Sequence, residues 1–167
     1  MKTLRLTLAA AMAATVVALL PATATADDAS VYAAYNGHQQ EFKDAAAAYR
    51  RAVRQTKHAG RRVTDDQLRA IISADQQINN VLVAVTNDVK GQQASTKGGE
   101  RARTYAVRNL VLFKKANDLE IESYQQMIYG HLHASDVAFA RGVRTLRRSS
   151  RYSKLATRQF GKLGLPS

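Results

Sequence analysis

Apolar positions in this chain recur at helical spacing, and glycines rather than prolines separate the stretches in which they do so. From about Ala29 to His58, Tyr35, Phe42 and Tyr49 fall seven apart, with His38, Ala45 and Ala52 filling the same face; this predicts a first helix. Thr64 followed three residues later by Gln67, with Asp65 and Asp66 in the first turn, reads as a capping box. Leu68, Ile71, Ile78, Leu82, Val85 and Val89 then give a second helix its apolar stripe. Gly91 to Gly99 (GQQASTKGG) is a polar, flexible connection. A third helix is expected from about Glu100 to Tyr129, with Ala106, Leu110, Phe113, Ile121, Tyr124 and Ile128 on its inner face. Ser135 and Asp136 offer N-caps for a fourth, whose inward positions are Phe139, Val143 and Leu146. Beyond Leu146 that face becomes Ser150, Ser153 and Thr157, so packing is expected to weaken there.

No proline occurs between Asp27 and Leu165, and short turns between long amphipathic helices imply antiparallel neighbours. The predicted fold is all-α: an antiparallel up-down bundle of four helices over residues 27–148, the fourth short, with a basic C-terminal extension over 149–167. Residues 1–26 read differently. Lys2 and Arg5 precede a 15-residue uncharged run, Leu6 to Leu20, then Pro21 and the small-x-small motif Ala24-Thr25-Ala26. This is the pattern of a Sec-type signal peptide cleaved near Ala26, and it predicts a secreted or envelope-associated protein. The run is shorter than the roughly 20 residues that span a bilayer, so no transmembrane segment is expected after processing. The absence of cysteine excludes disulfides, thiol redox chemistry, Cys-ligated zinc and iron–sulfur clusters.

Charge changes the picture at one end only. The leader holds two of the 25 Lys/Arg and none of the 13 Asp/Glu. From Asp27 to Ala140 the signs are nearly balanced, whereas the last 27 residues carry eight basic residues and no acid. Arg141, Arg144, Arg148, Arg151, Arg158 and Lys162 step by threes and fours or their sums, which on a helix confines them to about 100°. Arg147 and Lys154 flank them, and Tyr152 and Phe160 could add stacking contacts. Such a ribbon either covers a solvated face or attracts an anionic partner: a wall polymer, lipid headgroups, acidic polysaccharide or extracellular DNA. No motif for sequence-specific nucleic-acid reading is present.

Two polar residues interrupt apolar stripes, Asp75 on the second helix and Asn117 on the third. Counting about 1.5 Å per residue puts both level with Tyr49, so a buried Tyr49–Asp75–Asn117 layer is expected. It would fix helix register, or anchor a small ligand through Asp75. His58, His131 and His133 are brought to one end of the bundle and could form a zinc or copper site, the basis of an alternative reading as a metal or ligand carrier. His38, alone on an apolar face, is expected to be a satisfied core residue. Gly98-Gly99 opens a helix and could hold an anion. No nucleophile elbow, P-loop, His-Glu-x-x-His or Glu-x-x-His motif occurs, so neither an enzyme nor a cofactor is expected. The segment Asp136-Val-Ala-Phe-Ala-Arg-Gly142 resembles a helix start in exported, His- and Met-rich ferritin-like bundles. That family continues with a paired His where this chain has Leu146-Arg147-Arg148, so no site residue carries over.

Overall fold

A computed structural model describes residues 26–57 and 63–166. Apart from Ala26, the expected leader lies outside the described residues, as does His58. Every described element is a helix: α1 (Ala26–Asn36), α2 (Gln39–Lys57), α3 (Asp65–Gly91), α4 (Lys97–Ile128) and α5 (Leu132–Lys162). None of them is long and apolar enough to cross a membrane.

The single first helix expected from Ala29 to His58 is two helices, broken at Gly37-His38. The Asn36 amide folds back onto the Tyr32 carbonyl (2.9 Å), and a Cβ on Gly37 would lie 3.1 Å from the Ala33 carbonyl oxygen. Asn and Gly together end the turn that apolar spacing alone would continue. The capping box on α3 forms as expected: the Thr64 hydroxyl accepts from the Gln67 N–H, and the Thr64 N–H donates to the Gln67 side chain (3.0 Å). α2 meets α3 through Gln55 and Gln67, α3 meets α4 through Asp75 and Asn117, and α4 meets α5 through Ser123 and Ser135.

The last helix departs furthest from expectation. It has 31 residues against 32 in α4, so it is not short, and no break occurs at residue 148. α4 stops in a Schellman turn: Gly130 has φ 78°, its N–H donates to the Met127 carbonyl, and the His131 N–H donates to that of Gln126. The chain re-enters helix at once, so Ser135 is not an N-cap; its hydroxyl lies 3.0 Å from that of Ser123, buried between α4 and α5. The buried face of α5 is Ser135, Ala138, Gly142, Ser149, Ala156 and Phe160. Phe139, Val143 and Leu146, expected to point inward, are only half-buried. Small residues win because they let the backbones approach: a Cβ on Gly142 would sit 3.3 Å from the Ala116 carbonyl. Packing therefore does not fade after Leu146. A second Schellman turn at Gly164 (φ 74°) brings Leu165 back beside Phe160, and both are buried in the core with Val31, Ile71, Leu82 and Val89.

Candidate functional site

α5 carries Arg141, Arg144, Arg147, Arg148, Arg151, Lys154, Arg158 and Lys162 on its exposed side. At about 100° per residue they cover roughly 140° of the helix, opposite the buried line of Ala138, Gly142, Ser149 and Ala156. None of the eight enters an ion pair among the described residues; the pairs found there belong to Arg103, Lys114 and His38. The charges are thus uncompensated locally, and a positive potential extends along the helix. Of the two aromatic residues expected beside them, Tyr152 is half-buried. Phe160 cannot contribute: it is 2% exposed, with the Tyr32 and Tyr35 rings at 5.3 and 5.9 Å.

The expected polar layer exists but is wired differently. Tyr49, Asp75 and Asn117 are all buried. Tyr49 donates to Glu120 Oε1 (2.7 Å), not to Asp75, and Tyr124 donates to the same oxygen (3.0 Å). Asn117 Nδ2 donates to the backbone carbonyl of Asp75 (2.8 Å) and to Asn79 Oδ1 (3.1 Å). The Asp75 carboxyl is left with no hydrogen-bond partner among the described residues. Burial first, and the neighbouring Glu120 second, push its pKa from 3.8 up to about 9. Glu120 is also raised by burial, although the two tyrosine hydroxyls favour its charged form. Two carboxyls share a dry interior, and the proton belongs on the one without donors, Asp75. Glu120 is absent from the expected layer, although it lies seven residues after Phe113, three after Asn117 and four before Tyr124, a spacing that puts it on the same inner stripe.

The anion expected at Gly98-Gly99 is supplied by the chain itself. Asp28, fully buried, accepts from the backbone N–H groups of Ser95 (3.1 Å) and Thr96 (3.4 Å) and from the Thr96 hydroxyl (2.6 Å). The Thr96 hydroxyl in turn caps α4 by accepting from the Gly99 N–H (2.9 Å). α1 is thereby tied to the start of α4, an intramolecular use of a helix N-terminus.

His38 is not a core histidine. It sits at the α1–α2 break with Nδ1 2.8 Å from Glu41 Oε2 and Nε2 2.7 Å from Asp88 Oδ2. Only the imidazolium donates to both, so Glu41 first and Asp88 second hold its pKa above 6.5. A raised histidine pKa means the α2–α3 clamp is complete below the unfolded value and is lost as pH rises through the folded one. His38→Ala is accordingly expected to lower the melting temperature more at about pH 5.5 than at about pH 8.5. Equal losses at both would remove the imidazolium from the account. His131 and His133 are both exposed, and His131 Nδ1 lies 3.0 Å from Gln126 Oε1. No group of three metal-ligating side chains forms among the described residues. No protein-family model, curated protein or solved structure matches the chain.

Proposed function

We propose that this chain is an exported, non-catalytic helical protein that binds an anionic envelope or extracellular polymer through the basic side of α5. In this reading residues 1–26 are a signal peptide removed near Ala26, and the helices form an antiparallel up-down bundle. The mature protein is secreted or held at the cell envelope. The observation that carries the reading is the set of eight exposed basic side chains on α5, none of them ion-paired among the described residues. Binding by such a surface releases counterions, so affinity falls steeply with salt.

The test is retention of the processed protein on a phosphate-bearing resin. Truncation is the wrong variant, since removing residues after Gly142 would strip Phe160 and Leu165 from the core. Exchanging Arg144, Arg151 and Arg158 for Gln leaves the fold intact and should lower the slope of log affinity on log salt by about 2. An unchanged slope, or no retention of the parent protein, defeats the proposal. A second reading, a carrier of a metal ion or small ligand, is favoured by one observation, the buried Asp75 carboxyl without a partner.

A further inference from the structure

Resting on the polyanion reading above, we infer that the partner is a flexible, linear phosphate-bearing chain lying along the seam between α4 and α5, with Arg101, Arg108 and Lys115 of α4 completing its site. These three residues are seven apart, so they fall on one line down α4, about 10 Å from one to the next. All three are exposed, and none enters an ion pair among the described residues. Their neighbours Arg103 and Lys114 are different: these are held by Glu100 (2.8 Å) and Asp118 (2.9 Å).

Arg108 fixes where that line runs. Its guanidinium lies 5.6 Å over the Tyr152 ring of α5, with Nη1 3.4 Å from the Tyr152 hydroxyl, and Tyr105 lies against the same ring at 6.2 Å. The antiparallel register follows from Asn109 with Ser149 and Ala116 with Gly142. Arg108 is therefore level with Arg148 and Arg151, Lys115 with Arg141 and Arg144, and Arg101 with Arg158. On α5, Arg141 and Arg148 lie on the Tyr152 side of the stripe. Two cationic rows thus flank one seam, with Tyr152 between them.

The shape of this surface selects the partner. The charges wrap around two adjacent cylinders, roughly 140° on α5 and then across Tyr152 to α4. A flat layer of lipid headgroups touches only the crest of such a surface, whereas a flexible chain follows the seam and meets both rows. Lasting interfacial binding to a bilayer also needs several apolar side chains to bury; no large apolar residue between Arg141 and Lys162 is exposed, and the α4 row offers Val111 between Arg108 and Lys115.

The experiment titrates the processed protein with long-chain polyphosphate, orthophosphate and vesicles of anionic phospholipid over a range of salt. It compares the parent with an α4 variant (R101Q, R108Q, K115Q) and an α5 variant (R141Q, R144Q, R148Q) that removes the row nearest Tyr152. Melting temperatures serve as the check on folding. Polyphosphate should bind far more tightly per phosphate than either alternative, and each variant should lower the salt slope by about 2. If the α4 variant keeps the parental slope while the α5 variant loses it, the seam is wrong and the α5 reading stands. If vesicles bind as tightly per phosphate as the polymer, the partner is a membrane and the inference falls. If the parent binds none of the three, the underlying polyanion reading fails with it.

Discussion

Replacing Asp75 by Asn is expected to make the protein more stable, and increasingly so as the pH rises. The carboxyl is buried beside Glu120, Tyr49 and Tyr124; among the described residues no cationic side chain is bonded to any of the four and no donor reaches Asp75 itself. Its folded pKa is raised, so between the unfolded value of 3.8 and about 9 the native state retains a proton that the unfolded chain has released. Stability is then complete below the unfolded value and declines toward the folded one, by up to about 1.4 kcal/mol per pH unit. Asp75→Asn has nearly the same shape and does not ionise. The two proteins should match near pH 4 and differ by a few kcal/mol, on the order of magnitude, at pH 7. Urea midpoints measured across this range give the answer. A variant less stable than the parent at alkaline pH would contradict a neutral Asp75. Repeating the series in saturating calcium or zinc tests the carrier reading: a ligand anchored by Asp75 would stabilise the parent and not the variant.

His38 pushes in the same direction. Its clamp on Glu41 and Asp88 is also strongest when protonated, so both groups contribute stability at low pH that is lost as the solution becomes alkaline. Neither slope could be read from the chain's excess of basic residues, because the basic face of α5 is exposed and both titrating groups lie away from it.

What the sequence makes legible here is what repeats. The stripe from Leu68 to Val89 and the Thr64–Gln67 box define α3 without ambiguity, and the stepping of Arg141 to Lys162 puts eight charges on one side of α5. What escapes is decided by single residues or by closeness of approach. The Asn36-Gly37 pair, a turn signal, breaks a helix that the Tyr35, Phe42 and Tyr49 spacing runs straight through. On α5, side-chain size points to Phe139, Val143 and Leu146, but the neighbour is α4 at close range, and Gly142, Ala138 and Ser149 fit there. The polar layer shows the same division. Rise per residue places Tyr49, Asp75 and Asn117 at one level, while which oxygen each donor reaches depends on rotations that spacing does not contain. The α4 row of Arg101, Arg108 and Lys115 is visible in the sequence as a heptad, yet it gains meaning only when Tyr152 is found beneath Arg108.

Asp28 and Gly99 are expected to behave as one device, and a double-mutant cycle will separate that from two independent roles. Removing the carboxylate in Asp28→Ala leaves two backbone N–H groups and the Thr96 hydroxyl without their acceptor, and takes a negative charge from the positive end of α4. A loss of about 3–5 kcal/mol is expected, since hydrogen bonds to a charged group are worth about 1.5–3 kcal/mol each and the site is buried. Gly99→Ala attacks the same contact from the other side: its Cβ would fall 1.9 Å from Asp28 Oδ1, so the carboxylate has to leave. Alone, this substitution should cost nearly as much as losing the carboxylate. Placed on Asp28→Ala, its three nearest obstructions, all atoms of the Asp28 carboxyl group, are gone, and it adds the helix preference of Ala over Gly, roughly 1 kcal/mol in its favour. The expected signature is thus a change of sign: Gly99→Ala is strongly destabilising in the parent chain and neutral or stabilising without Asp28. Additive losses in the cycle, read from urea unfolding of the four proteins, would mean that Gly99 is required for some other reason. The tie between α1 and α4 would still hold through the Asp28 bonds and through Asn109 Nδ2, which donates to the Tyr35 hydroxyl (2.7 Å), but without a role for Gly99 in it.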